Sequence, residues 1–333
     1  MFGKSTYILK NRFARLTMPS PILSITIVHH HGLNMLRDCL ISIYENAPSF
    51  EYEVIVVDNV STDGAVDLMG KDFPQVTLIR NKERHGFGHN QNTAIRASSG
   101  KYVFIYNDDT LVHGRALSTL CEFLDANSDV GLVGPRLRNA DGTLQLSCFK
   151  FPSPLRCLWE NLLLTAAFPN NPIFGDYRGW AHDSVREVDF VIGAAMLVRR
   201  EVLDQVGLFD ELFFMYAEET DWQIRIKKAG WKIQLCPDAE ITHLGGQSTE
   251  DAKEKQFAEF QSSSVKLVTK HYGTLGAYTQ RACMILGSLL RIAIWSILSL
   301  VVPEKRQKGN LEIQRWRRLL RWWTGGGPRV GLS

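Results

Sequence analysis

The stretch Tyr102-Val103-Phe104-Ile105-Tyr106-Asn107-Asp108-Asp109 carries most of the information in this chain. Its first five residues form an unbroken apolar run, which is typical of a strand buried on both faces. Acidic residues follow at once, and α/β sheets bind ligands outside the carboxyl ends of their strands. Adjacent carboxylates repel each other, so a divalent cation is the best reason for the pair, although a solvated, capped turn is the alternative. The stretch therefore predicts an α/β fold with a metal at this strand end.

Apolar runs and helical periodicity alternate along the chain before this stretch. This order predicts a doubly wound, mainly parallel sheet with helices on both faces. The prolines, glycines and asparagines of 137–186 predict an irregular segment. Strands are predicted at 22–28, 53–58, 76–80, 102–106, 188–199 and 232–236, and helices at 33–46, 64–70, 90–99 and 251–271.

Composition limits the partners and the compartment. The net charge of +3 over 333 residues is too small to indicate nucleic acid binding. The six cysteines show no CxxC pair, which favours reduced thiols in a cytoplasmic protein. Residues 1–20 contain basic residues but no continuous apolar core, so we expect an N-terminal extension rather than a signal peptide.

A second acidic cluster, Glu218-Glu219-Thr220-Asp221, opens a segment with helical spacing. Asp221 can pair with Arg225 one turn later, so we expect it to be structural. That leaves Glu218 or Glu219 facing a cleft, where apolar neighbours would raise the pKa of a general base. The alternative is a solvated acidic helix start, stabilised by the helix dipole. A base beside a metal-bound diphosphate is the chemistry of sugar transfer from a nucleotide-sugar.

Other polar residues follow predicted strands. Asp58 and Asn59 close the second strand, where an acidic side chain can accept hydrogen bonds from a base or ribose; a plain turn is the alternative. The loop 86–92 lacks GxGxxG spacing and does not follow the first strand, which disfavours a dinucleotide fold. Asn90 could cap the next helix. His243 could complete a mixed oxygen and nitrogen site for Mn²⁺ or Mg²⁺, although a lone histidine is more often structural.

In this order, the segments resemble the family-2 inverting glycosyltransferases of GT-A fold, and most of all the bacterial rhamnosyltransferase-like enzymes of cell-envelope polysaccharide assembly. The resemblance covers roughly residues 22–275, and we interpret residues 21–275 as one GT-A domain. The matching segments are SITIVHHH, EVIVVDNVSTDGA, NKERHGFGHNQNTAI, YVFIYNDDT, DFVIGAAMLVRREVLDQVGLFDELFFMYAEETDWQIRIKKAGWKI and ITHLGG.

The resemblance implies an inverting transfer, with L-rhamnose from dTDP-rhamnose favoured, to a lipid-linked or polysaccharide acceptor. Glu219 stands where the family usually has aspartate, and His29-His30-His31 replaces Asn-Tyr-Asn-like residues. When the family's motifs are carried over position by position, the resemblance implies donor binding by Asp58, Asn59, Asn90, Asp108 and Asp109. It implies metal binding by Asp109 and His243. It implies general base catalysis by Glu219, with Asp221 as runner-up.

Two other function classes fit parts of the pattern. A nucleotidyltransferase that makes a sugar nucleotide would need a basic, glycine-rich loop after the first strand, which His29-His30-His31-Gly32 does not supply. A non-catalytic sugar-nucleotide or lipid-binding module would not need Asp109 and Glu219 together.

Residues 276–333 differ in character and predict a helical, membrane-associated appendage. The segment 282–302 is almost wholly apolar apart from Arg291, so it either spans a bilayer or lies on one. The amphipathic segment 311–323 suits an anionic surface at the inner face of the cell membrane, and a helical pair packed on the protein itself is the alternative. Its apolar face would hold Ile313, Trp316, Leu319, Leu320 and Trp323, opposite Arg317, Arg318 and Arg321.

Overall fold

The computed structural model describes residues 21–245 and 250–326. The strands are β1 Leu23–His29, β2 Tyr52–Asp58, β3 Thr77–Arg80, β4 Tyr102–Asn107, β5 Thr110–Val112, β6 Val130–Arg138, β7 Leu144–Gln145, β8 Cys148–Phe149, β9 Arg186–Glu187, β10 Phe190–Val191, β11 Ala195–Arg199 and β12 Lys232–His243. The helices are α1 Leu33–Glu45, α2 Ala65–Asp72, α3 Phe87–Ala97, α4 Ala116–Ala126, α5 Pro154–Asn161, α6 Leu164–Ala167, α7 Arg200–Val206, α8 Glu218–Lys228, α9 Glu250–Val301 and α10 Arg306–Arg321. Short 3₁₀ turns lie at Tyr177–Gly179 and Pro303–Lys305, and Trp322–Gly326 forms a π-helical turn.

The main sheet has the order β3-β2-β1-β4-β11-β6-β12-β5. Its first four strands are parallel neighbours, β6 and β12 are also parallel, and β11 runs antiparallel to both β4 and β6. The predicted α/β class, with a mostly parallel sheet, is confirmed. The single strand predicted at 188–199 is wrong, because the chain turns at 192–194 and β10 pairs with β8 in a separate two-stranded sheet.

Helices cover both faces of the sheet, which explains the unbroken apolar runs. Phe104 and Tyr106 of β4 pack in one core with Leu40 of α1. Val103 and Ile105 face the other way, into a core that contains Trp222 of α8. Successive residues of a strand point to opposite faces, so an apolar residue is needed at every position.

The C-terminal helix α9 is broken at Gly273, whose φ of +70° lies in the left-handed region. Its first half is tied to the sheet domain: Ser263 Oγ donates to the Met215 carbonyl at 2.8 Å, and Leu267 packs with Phe213. Its second half contacts α5, where Arg291 Nη2 donates to the Glu160 carbonyl at 2.6 Å. Within the described residues, Lys255–Val301 contains the one stretch that is long and apolar enough to cross a membrane.

The helix α10 folds back on α9 and buries part of the apolar face that the sequence placed against lipid. Leu319 and Trp323 are 8% and 3% exposed and form a cluster with Val265. The prediction that these two side chains meet a membrane is therefore wrong, since α9 offers them an apolar surface within the chain. Leu311, at the start of the segment, is 63% exposed.

Leu319→Ala is expected to lower the free energy of unfolding by about 2–5 kcal/mol, because it leaves a cavity between α10 and α9. Leu311→Ala is the matched control and should change stability by no more than about 0.5 kcal/mol, since its side chain is exposed. Urea unfolding of both variants, followed by circular dichroism, provides the comparison. Equal stability of the two variants would contradict the packing of α10 on α9.

Candidate active site

The carboxyl ends of three adjacent strands bring the predicted donor-binding residues to one edge of the sheet. His29 at the end of β1 is in register with Asp58 at the end of β2, and Val28 is in register with Asn107 of β4. The side chains that follow these positions therefore surround one crevice, the usual ligand position in an open α/β sheet.

Asp58 is buried and shapes the loop that follows β2. Its Oδ1 accepts a hydrogen bond from the Ser61 amide at 3.1 Å, and Arg80 Nε lies 4.0 Å from its Oδ2. Val60, within this loop, has a φ of +60°, which costs a β-branched residue strain energy. Such strain persists only where the surrounding structure imposes it, as it often does beside a ligand.

Asn59 and Asn90 hold the loop between β3 and α3 in place. Asn59 Oδ1 accepts from the His85 amide at 3.0 Å, and Asn90 Oδ1 accepts from Asn81 Nδ2 at 2.6 Å. The amide groups of Asn59 and Asn90 both donate to the His85 carbonyl, at 3.0 and 3.2 Å. Their contacts in this structure are thus with the loop, which they position beside the crevice.

His29 joins two carboxylates, a contact that the sequence did not reveal. Its Nδ1 lies 2.6 Å from Asp108 Oδ2, and its Nε2 lies 3.2 Å from Asp63 Oδ2. Burial lowers the pKa of His29, but the hydrogen bonds and charges of Asp108 and Asp63 outweigh burial and raise the pKa above its usual value. The contacts of both ring nitrogens therefore fix the orientation of Asp108. The unusual triple histidine was the signal that could have pointed to this role.

Asp109 and His243 meet because β5 and β12 are paired beyond the turn that holds Asp109. Thr110 is in register with His243, and the Leu244 amide donates to the Asp109 carbonyl at 2.9 Å. Asp109 Oδ1 is buried without a hydrogen-bond donor among the described residues, and His243 Nε2 lies 3.3 Å from it.

The tautomer of His243 makes this pair suitable for a cation. Its Nδ1 lies 2.7 Å from Gln145 Oε1, which can only accept, so Nδ1 carries the proton. The Gln145 amide is oriented by its own donation to Asn139 Oδ1 at 2.9 Å. In neutral His243 the Nε2 atom then has a free lone pair 3.3 Å from an unpaired carboxylate oxygen, and a divalent cation between them would satisfy both atoms.

The pair could bind a metal ion whose coordination shell is completed by ligands from outside the protein. Among the described residues, no group of three or more His, Cys, Asp or Glu side chains is placed to hold a metal ion. Mg²⁺ and similar cations commonly take one or two protein ligands, with substrate phosphates and water supplying the rest. Asp109 and His243 would be those protein ligands.

The acidic cluster begins α8 after a strained turn. Tyr216 and Ala217 have φ values of +67° and +70°, an arrangement that L-residues rarely adopt and that costs on the order of 1–3 kcal/mol per residue. This turn places Glu218 and Glu219 in the first turn of α8. Burial raises the pKa of both carboxyl groups, and that of Glu218 is raised further by the charge of Glu219.

Glu219 lies beside the end of β4. A Cβ atom added to Gly193 would be 3.6 Å from both Cβ and Cγ of Glu219, so the two residues are in contact. The next residue, Ala194, accepts a hydrogen bond from the Asn107 amide at 3.0 Å. Glu219 is therefore connected, through two residues, to the turn that carries Asp108 and Asp109.

Both carboxylate oxygens of Asp221 are already paired with basic residues. Its Oδ2 accepts from Arg225 Nε at 2.9 Å, while its Oδ1 lies 2.7 Å from Lys270 Nζ and 2.8 Å from His271 Nε2. The side chain is fully buried. A carboxylate in this position is a structural anchor, as the predicted pairing with Arg225 implied.

Comparison with known proteins agrees with this arrangement. The family model of glycosyl transferase family 2 matches residues 24–207. The N-acetylglucosaminyl-diphospho-decaprenol L-rhamnosyltransferase of Mycobacterium tuberculosis strain H37Rv is 30% identical over 255 residues, which are 72% of this chain and 83% of that protein. The dTDP-rhamnosyl transferase of Shigella flexneri is 22% identical over 236 residues, covering 69% of this chain and 71% of that protein.

The fold has solved counterparts as well. A mannosyltransferase from Pyrobaculum calidifontis, solved with GDP-mannose and Mn²⁺, superimposes with a TM-score of 0.54 at 20% identity, over 92% of this chain and 88% of that one. The resemblance to rhamnosyltransferases found in the sequence is thus confirmed, and the chain belongs to glycosyl transferase family 2.

Proposed function

We propose that this protein is an inverting, metal-dependent glycosyltransferase that moves L-rhamnose from dTDP-rhamnose to a lipid-linked glycan acceptor in cell-envelope synthesis. The observation that carries the proposal is the unpaired Asp109 carboxylate oxygen facing His243 Nε2 at the strand edge that also holds Asp58. The names of the two relatives support rhamnose as the sugar, and the first of them supports a lipid-linked acceptor.

Different residues of the chain would perform different parts of the reaction. Asp58 would bind the nucleoside, while Asp109 and His243 would hold the cation, which supplies neutralisation of the departing diphosphate. Glu219 would remove the proton from the acceptor hydroxyl as that oxygen bonds to the anomeric carbon. The bond from that carbon to the diphosphate oxygen breaks on the opposite face, through an oxocarbenium-like transition state, so the configuration inverts.

Glu219→Gln should retain donor affinity and lose transfer by a factor of roughly 10² to 10⁴, the usual contribution of a general base. In the wild type, the raised pKa of Glu219 should place the acid limb of the kcat profile above the ordinary glutamate pKa, because the base must be deprotonated. Transfer rates over a pH series and calorimetric titration with dTDP in the presence of Mn²⁺ measure both effects.

Glu218→Gln is the matched control for this prediction and should keep most of the activity. Asp221→Asn should instead lower stability, because it leaves Arg225 and Lys270 without their buried partner. An inactive Glu218→Gln variant beside an active Glu219→Gln variant would show that the base is the neighbouring carboxylate.

Asp109→Asn should abolish the increase in dTDP affinity that Mn²⁺ or Mg²⁺ causes, while affinity in EDTA stays the same, since Asp58 and its loop are untouched. His243→Ala should weaken the same metal effect. His113→Ala is the control, because His113 lies just after β5 and contacts Thr242 at 2.8 Å instead of Asp109. Metal-dependent binding that is unchanged in Asp109→Asn would refute this metal site.

We further propose that the protein is cytoplasmic and bound peripherally to the inner face of the cell membrane through α9. After Gly273 this helix exposes Leu289, Ile297 and Leu300 by 50%, 61% and 83%. Exposed apolar residues at this density suit burial in the headgroup and acyl boundary of a bilayer. Basic residues of α10, Arg317 and Arg321, are exposed nearby in the chain and would add attraction to anionic lipids.

The double variant Ile297→Asp/Leu300→Asp should reduce binding to anionic liposomes by about 100-fold or more, because each side chain contributes on the order of 1.5–3 kcal/mol when buried. Ile22→Asp/Ile41→Asp is the control, as these two exposed side chains lie in the sheet domain. Co-sedimentation of both variants with liposomes is the measurement. Equal sedimentation of both double variants would argue against a membrane role for this helix.

A further inference from the structure

A cavity of about 300 Å³ lies in the segment between β8 and β9. None of its lining residues takes part in the proposed reaction. Its lining includes the side chains of Lys150, Asn170, Asn171, Tyr177, Trp180 and Arg186. This volume is at the lower end of the range for small-molecule sites.

The cavity carries positive charge that is not neutralised within the described residues. Neither Lys150 nor Arg186 has a carboxylate within the 4.0 Å of an ion pair there, whereas Asp176, which also lines the cavity, is paired with Arg178 at 2.8 Å. The Arg186 guanidinium lies 5.1 Å from the Tyr177 ring centre. Two cations beside aromatic rings and amide groups form a site for an anion of more than one charge.

The cavity is linked to Glu219 through one strand pair. Lys150 directly follows β8, which pairs with β10 through Phe149 and Phe190. The turn after β10 contains Gly193, the residue in contact with Glu219. One strand pair therefore connects Lys150 to the residue that contacts the base candidate.

One segment of the cavity wall also carries exposed apolar side chains. The segment that contributes Asn170 and Asn171 exposes Phe168 and Ile173 by 52% and 62%. Helix α5, which comes before α6 and this segment, contacts the second half of α9, where Arg291 donates to the Glu160 carbonyl. One continuous stretch of chain, from α5 to β9, therefore both packs on α9 and lines the cationic cavity.

We propose that this cavity binds the diphosphate group of the lipid-linked acceptor, with the lipid chain directed along the apolar surface of 168–173 and α9. Lys150 and Arg186 would pair with the phosphate oxygens, and Asn170 and Asn171 would donate hydrogen bonds. The proposal rests on the proposed function, because it identifies the acceptor as a lipid diphosphate held by its charged end beside the base.

Binding of farnesyl diphosphate to the full chain, measured by calorimetry without donor or metal, tests the proposal. Lys150→Gln/Arg186→Gln should weaken binding by roughly 10- to 100-fold, as expected for the loss of charge-assisted contacts. Lys71→Gln/Arg115→Gln removes the same charge from the exposed surface of the sheet domain and should bind as the wild type does. Lys150→Arg should retain binding, which separates loss of charge from loss of folding.

Inorganic pyrophosphate distinguishes a lipid diphosphate from a free one. It should bind at least about tenfold more weakly than farnesyl diphosphate, because it lacks the apolar chain. Equal affinity for the two ligands, no binding by the wild type, or unchanged binding by Lys150→Gln/Arg186→Gln would each overturn the proposal. Hydrolysis of dTDP-rhamnose by the same samples is measured separately, so its absence would count against the proposed function and not against the cavity.

Discussion

The buried carboxylate of Asp221 is the contact on which the arrangement of the active-site helices depends. It joins α8 to α9 through Lys270 and His271, and it also pairs with Arg225 of its own helix. Lys270 also contacts Asp210 at 2.6 Å, so two carboxylates face two permanent cations. Burial lowers the pKa of His271 although Asp221 opposes it, which keeps that imidazole a neutral donor. The network is therefore close to balanced in charge, as burial of ions requires.

Contacts from α9 and from the start of α3 maintain the strained turn before α8. Tyr216 and Ala217 are both left-handed, and neither is a glycine. The Met215 carbonyl is held by Ser263 of α9, and the Phe214 carbonyl accepts from the Phe87 amide at 2.9 Å. Contacts from both sides thus fix the chain just before Glu218 and Glu219. The energy that the turn costs is offset by these contacts, and the base candidate is held in one orientation.

The edge of the sheet could be predicted from sequence because its signal is local. An apolar run followed by acidic residues identifies both a strand and the position of its carboxyl end, so Asp58, Asp108 and Asp109 were located without a structure. The contacts of His29 with Asp63 and Asp108 were not predictable, because they join three segments through a side chain whose type has many roles. The antiparallel direction of β11 also leaves no trace in the sequence, since strands buried on both faces are equally apolar in either direction. For α10, the pattern showed an apolar face but not what covers it, which is α9 in the case of Leu319 and Trp323.

Gly273 divides α9 into a first part that packs on the sheet domain and a second part that packs on α5. The helical stretch that follows it is about 40 Å long at the usual rise per residue, somewhat more than the thickness of a bilayer's hydrocarbon core. A residue with a Cβ atom would resist the φ of +70° at this point, and a straight helix would carry α5 and the cavity wall in another direction. With α9 on a membrane as proposed, the angle at one glycine would therefore set the distance between that membrane and the proposed site of sugar transfer.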